Sequence, residues 1–64
     1  MENKIERMKR RINRMIDNAK EHFEMYGWNQ SYDLKIARID GCLTMLEMLT
    51  EKEYYYDDNG LHEV

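Results

Sequence analysis

Apolar residues in the first 26 positions fall at Met1, Ile5, Met8, Ile12, Met15, Ala19 and Tyr26, mostly three or four apart, with Ile16 and Phe23 widening the stripe. Side chains at that spacing lie above one another on a helix. The pattern therefore predicts a first helix over about residues 2–26 with a single apolar face. His22 interrupts the stripe and reads as an imidazole at the edge of a core. Gly27 supplies the positive φ that ends a helix, and Asn29 or Ser31 can accept backbone N–H groups to start the next one. A link as short as Gly27-Trp28-Asn29 makes the two helices antiparallel neighbours.

The second segment repeats the pattern at Tyr32, Ile36, Ile39, Leu43 and Leu46, a seam that can face the first helix. Leu34, Ala37, Gly41, Met45 and Met48 form another stripe, roughly opposite the first at about 100° per residue. Tyr55 extends it if the helix runs to about residue 56. The second helix is therefore expected to be apolar on two sides, while a hairpin covers only one. Ala37 and Gly41 would let a facing helix approach closely, and that packing would offset the roughly 1 kcal/mol that Gly costs inside a helix. After Tyr54-Tyr55-Tyr56 the periodicity fails, and Asp57-Asp58-Asn59-Gly60 reads as a turn. Residues 57–64 are expected to be a flexible or loosely docked acidic tail. The alternative is a short ribbon from Tyr54 to Val64 turning at Asn59-Gly60.

The fold expected is all-α: an antiparallel helical hairpin that dimerises into a four-helix bundle. Length supports the dimer. At 64 residues a single core barely offsets chain entropy, and small domains supplement it with disulfides, a metal or association. A lone Cys42 cannot form a disulfide within the chain, and a reduced thiol points to the cytoplasm. Neither a membrane-spanning stretch nor a signal peptide is visible, so a protein without membrane contact is expected.

The distribution of charge is more informative than the composition. The net charge of −3 conceals two opposed ends. Over residues 1–14, six bases (Lys4, Arg7, Lys9, Arg10, Arg11, Arg14) face two acids (Glu2, Glu6). Over residues 33–58, seven acids (Asp33, Asp40, Glu47, Glu51, Glu53, Asp57, Asp58) face three bases (Lys35, Arg38, Lys52). A helix displaying Arg7, Arg10, Arg11 and Arg14 can contact nucleic-acid phosphates. An antiparallel hairpin offers another use, because it sets the basic start of one helix beside the acidic end of the other, with Lys9 close to Glu47. Each charge cluster opposes the dipole of its own helix end, and pairing would relieve both.

Catalytic and metal chemistry find little footing. Asp33, Asp40 and Glu47 recur every seven residues and so line one edge of the second helix, without the burial and convergence that acid/base work requires. His22 lacks a second His or Cys one turn away, there is no Glu-x-x-His pair, and His62 has no visible partner. Cys42 lacks a nearby His and reads as a small hydrophobe rather than a nucleophile. No cofactor, metal or enzymatic activity is expected. Trp28 sits in the turn, where it either caps the core or anchors a partner.

In size and layout the chain resembles the plasmid-encoded Rop-type regulators, helical hairpins that dimerise into four-helix bundles and bind paired RNA stem-loops. No run of residues matches, so no RNA contact carries over. It is also similar in layout to small aspartyl-phosphate phosphatases whose second helix carries Ser-Gln-x-x-Asp. Here Asp40 is present, but Ile36 and Ala37 stand at the Ser and Gln positions, which argues against that activity. The expectation is a small non-enzymatic interaction protein of a phage or mobile element, a homodimer with Leu34, Ala37, Gly41, Met45, Met48 and Tyr55 as the dimer or partner interface, which binds or inhibits another protein through Trp28, its tyrosines or its charged edges. The alternative is a nucleic-acid-binding hairpin.

Overall fold

The computed structural model describes residues 3–64, so Met1 and Glu2, assigned above to the stripe and to the start of the first helix, lie outside the described residues. Two helices, α1 (Lys4–Tyr26) and α2 (Gln30–Thr50), are followed by two strands, β1 (Tyr54–Asp57) and β2 (Gly60–Glu63). The helical hairpin is as expected, and a small antiparallel ribbon packs against it.

Each helix begins where an asparagine satisfies a free backbone donor. Asn3 Oδ1 accepts from the Glu6 N–H at 2.8 Å, and Asn29 Oδ1 accepts from the Tyr32 N–H at 2.9 Å. Asn29, not Ser31, therefore starts α2. Gly27 closes α1 with φ 70° and donates its N–H to the Phe23 carbonyl at 2.8 Å. His22 sits half-buried beside this link, with Nε2 3.1 Å from Asn29 Oδ1 and its ring 5.0 Å from that of Tyr26. It braces the turn from the core's edge.

The core follows the two predicted seams. Ile12, Ile16 and Ala19 of α1 meet Ile39 and Leu46 of α2, and Ile5, Met8, Met15, Tyr32, Ile36, Cys42 and Leu43 pack around them. Ile12, Ile39 and Leu46 are completely removed from water. Phe23 and Tyr32 close the turn end with ring centroids 5.1 Å apart.

Helix 2 ends earlier than its pattern predicts, at Thr50 rather than near residue 56. Glu51 adopts a left-handed conformation (φ 57°, ψ 30°) and its N–H bonds the Glu47 carbonyl at 2.8 Å. The following aromatic run then favours strand over helix. Residues 57–64 are thus not a loose tail, since Asp57 completes β1 and most of the remainder is turn and β2. The register pairs Tyr54 with Glu63, Tyr55 with His62, Tyr56 with Leu61 and Asp57 with Gly60. At the turn, Asp57 Oδ1 accepts the Asn59 N–H at 2.8 Å, and Gly60 alone there takes a positive φ, 118°. Tyr54 is buried in the core, and Tyr56 and Leu61 pack on its margin.

The ribbon is also tied to both helices by side chains that cap its outer edges. Tyr54 N–H donates to Glu47 Oε2 of α2 at 3.1 Å, and Leu61 N–H donates to Asn13 Oδ1 of α1 at 2.8 Å. Tyr56 OH donates to Asp40 Oδ1 at 3.3 Å. An isolated two-stranded ribbon is marginal and its bare edges invite pairing. Packing on the hairpin and these caps address both problems at once.

Candidate interaction surfaces

Two exposed surfaces stand apart from the core, one apolar on α2 and one basic on α1. On a helix of about 100° per residue, Leu34, Ala37, Gly41, Met45 and Met48 fall on the side of α2 away from Ile39 and Leu46. Leu34 is 58 % exposed, Met45 55 % and Met48 75 %, and Leu49 beside them is 59 % exposed. A Cβ added at Gly41 would meet nothing within 4 Å. Within the single chain, therefore, Gly41 answers no packing need. Any close approach it permits is to something outside the chain.

Tyr55 does not join this stripe. It lies on β1, half exposed, with its ring stacked on His62 at 5.0 Å between centroids. Trp28 is 70 % exposed at the turn and does not cap the core. Met25 and Tyr26 are exposed near it, so this end of the hairpin also presents large apolar side chains to solvent.

The basic surface belongs to α1. Lys4, Arg7, Arg10, Arg11 and Arg14 are exposed and, with Met8, line a shallow open depression. Lys9 lies apart from this group, on the ribbon side. Its ammonium stands 5.5 Å above the Tyr54 ring and 3.9 Å from Glu6, not paired with Glu47 as the symmetric hairpin would have it. Glu47 is turned to the Tyr54 backbone. Here the pairing of opposed ends gives way to the ribbon, because β1 docks along the acidic edge of α2 and takes up its carboxylates as hydrogen-bond acceptors.

The acidic edge thus has a structural use that spacing alone did not reveal. Two of its three members, Asp40 and Glu47, hold β1 in place. Asn13, also absent from the sequence-based reading, holds β2. The signal that could have found it is an amide at a helix position one side of the apolar face, but its partner lies 48 residues away.

The same contacts shift the proton affinities of three side chains. The hydrogen bond to His62 holds the Asp57 carboxyl below its ordinary range, helped by the Asn59 N–H. Burial pushes the Tyr56 hydroxyl up, with the adjacent Asp40 charge adding to it. Lys52 is raised by its hydrogen bond and ion pair with Glu63, 3.1 Å away. All three belong to the ribbon and its immediate flank. Among the described residues, no group of three or more His, Cys, Asp or Glu is placed to hold a metal ion, and no helix is long and apolar enough to cross a membrane. Cys42 is a half-buried free thiol beside the core.

No family model matches the chain, and neither a curated protein nor a solved structure matches it.

Proposed function

We propose that this chain is a small, non-enzymatic helical interaction protein that pairs with a second copy through the outer face of α2, and in that form binds or inhibits another protein. The observation that carries the reading is the exposed stripe of Leu34, Gly41, Met45 and Met48 on a helix whose opposite side is already the core. An exposed apolar stripe with large side chains towards both ends and Ala37 and Gly41 between them is a cost in water that contact with another chain removes. Gly41, open at the middle of the stripe, supports close helix-to-helix approach there. Two pairs of helices brought together in this way would form a four-helix bundle with the ribbons on its outside.

Trp28 supports the second part of the proposal. Tryptophan is among the residues that most often anchor a partner protein, and here it stands at the end of the hairpin, clear of the stripe. The dimer face and the anchor are therefore compatible. A reduced Cys42 fits work in the cytoplasm.

Thermal unfolding across a hundredfold range of protein concentration tests the proposal. Folding coupled to pairing makes the melting temperature rise with concentration. The Met45→Glu, Met48→Glu double variant should abolish that dependence while keeping the helical signal. A wild-type melting temperature that does not move with concentration contradicts it.

A further inference from the structure

Lys4, Arg7, Arg11 and Arg14, three or four residues apart, form one exposed row along the side of α1 turned away from Ile12 and Ile16. At 1.5 Å of rise per residue the row is about 15 Å long. Among the described residues, none of these four has a carboxylate within ion-pair distance. The acids of α2 are on the ribbon side of the molecule, where Asp40 and Glu47 are engaged. The row thus consists of adjacent like charges, repulsive at that spacing, near the positive end of the helix dipole. No ion pair among the described residues offsets this arrangement, and a local conflict of this kind marks a surface used for something other than folding.

We propose that the row contacts the phosphodiester backbone of a nucleic-acid duplex, lying along it without reading bases. Guanidinium forks match phosphate oxygens, and three of the four groups are arginines. A duplex carries about one negative charge per 1.7 Å of its axis, so a row about 15 Å long meets several phosphates in any register. An acidic protein partner is less well served. The face offers no aromatic anchor for the centre of a protein interface, since Tyr26 and Trp28 lie at the other end of α1. The acidic ribbon orients the molecule, because its charge is repelled by the same polymer that attracts the row. This inference does not depend on the α2 face.

The test is fluorescence anisotropy of the full chain with a labelled DNA duplex of about 20 base pairs, the matching RNA duplex and the single strand, over about 50 to 200 mM salt. Four phosphate contacts on DNA predict a slope of log K against log salt near −3.6, which is about a hundredfold loss of affinity across that range. The single strand should bind more weakly with a shallower slope. Combining Arg7→Gln, Arg11→Gln and Arg14→Gln should bring the slope to about −1, each substitution removing roughly one unit. The corresponding triple Lys variant keeps the charge and should keep the slope, so loss of binding by misfolding is separated from loss of contacts. No binding at low salt, a slope untouched by the glutamines, loss of the slope in the lysine variant, or tighter binding to polyglutamate than to either duplex would each overturn the proposal.

Discussion

The two sides of α2 carry similar apolar residues and meet opposite fates. On the inner side Ile39 and Leu46 are wholly enclosed by α1 and the ribbon, whereas on the outer side Leu34, Met45 and Met48 stand mostly in water. Hydrophobic periodicity identifies both sides equally, because it reports which residues share a face and not whether the chain itself can cover it. What separates them is supply. One hairpin has one partner helix, and the ribbon closes the side of the groove bordered by Asn13, Asp40 and Glu47 rather than the outer face. The ribbon also explains how so short a chain builds a core without a disulfide. It folds back on the helices and adds Tyr54 to the core that holds Ile12 and Leu46.

Truncating one residue on each side of α2 should have very unequal effects. Leu46→Ala should cost about 2–5 kcal/mol, comparable to the whole stability of a domain this size, and should leave the chain largely unfolded in a urea titration. Met48→Ala on the outer side should change the stability of the single chain by less than about 0.5 kcal/mol. Its effect belongs to association instead. Equal costs for the two would mean that the outer face is not outer.

Ribbon docking gives the next largest effect. Gly60 holds φ at 118°, and a Cβ there would come within 2.7 Å of Asn13 Oδ1. Gly60→Ala should therefore cost about 1–3 kcal/mol through backbone strain, before any displacement of Asn13. Asn13→Ala alone should cost about 1 kcal/mol by freeing the Leu61 N–H to water. Amide exchange at β2 should speed up in both variants while the α2 amides near Ile39 change less. Uniform acceleration would show that the ribbon and hairpin unfold as one unit. At the opposite end, Asn29→Ala removes the cap of α2 and should cost about 1 kcal/mol, measurable by thermal unfolding.

The smallest effects are those of pH. Tyr56 has its proton held more tightly when folded than its ordinary value of 10.0, so the stabilisation it brings is complete below pH 10 and is lost as pH rises through the folded value. Asp57 is shifted the other way from 3.8, so its contribution is present above that pH and is lost as pH falls through the folded value. Amide signals of the ribbon should thus shift at both extremes before helicity falls. Tyr56→Phe should remove the alkaline step, and Asp57→Asn the acidic one.

The helical part was legible because its information is local. Three-and-four spacing, the Asn29 cap and the Gly27 stop each act within a turn or two of the residues they organise. The ribbon was harder to read because Tyr55 continues the α2 stripe at helical spacing, so periodicity alone carries the helix past Thr50 to about residue 56. Its real determinants are Asn13, 48 residues away from Leu61, and Glu47, which meets Tyr54 across the break in α2 after Thr50. The Asn59-Gly60 signal pointed to a turn, but the docking that makes the turn worthwhile was invisible locally. For the same reason the charge pattern suggested pairing of Lys9 with Glu47, where β1 intervenes. As for the candidate surfaces, their residues could be named from spacing, but their exposure depended on where the ribbon packs.

Sedimentation equilibrium of the full chain at micromolar concentrations decides whether the outer face of α2 pairs. The account predicts twice the chain mass of 7.9 kDa for the wild type and the single mass for the Met45→Glu, Met48→Glu variant with its helicity intact. A wild-type chain that stays folded at the single mass throughout would contradict it.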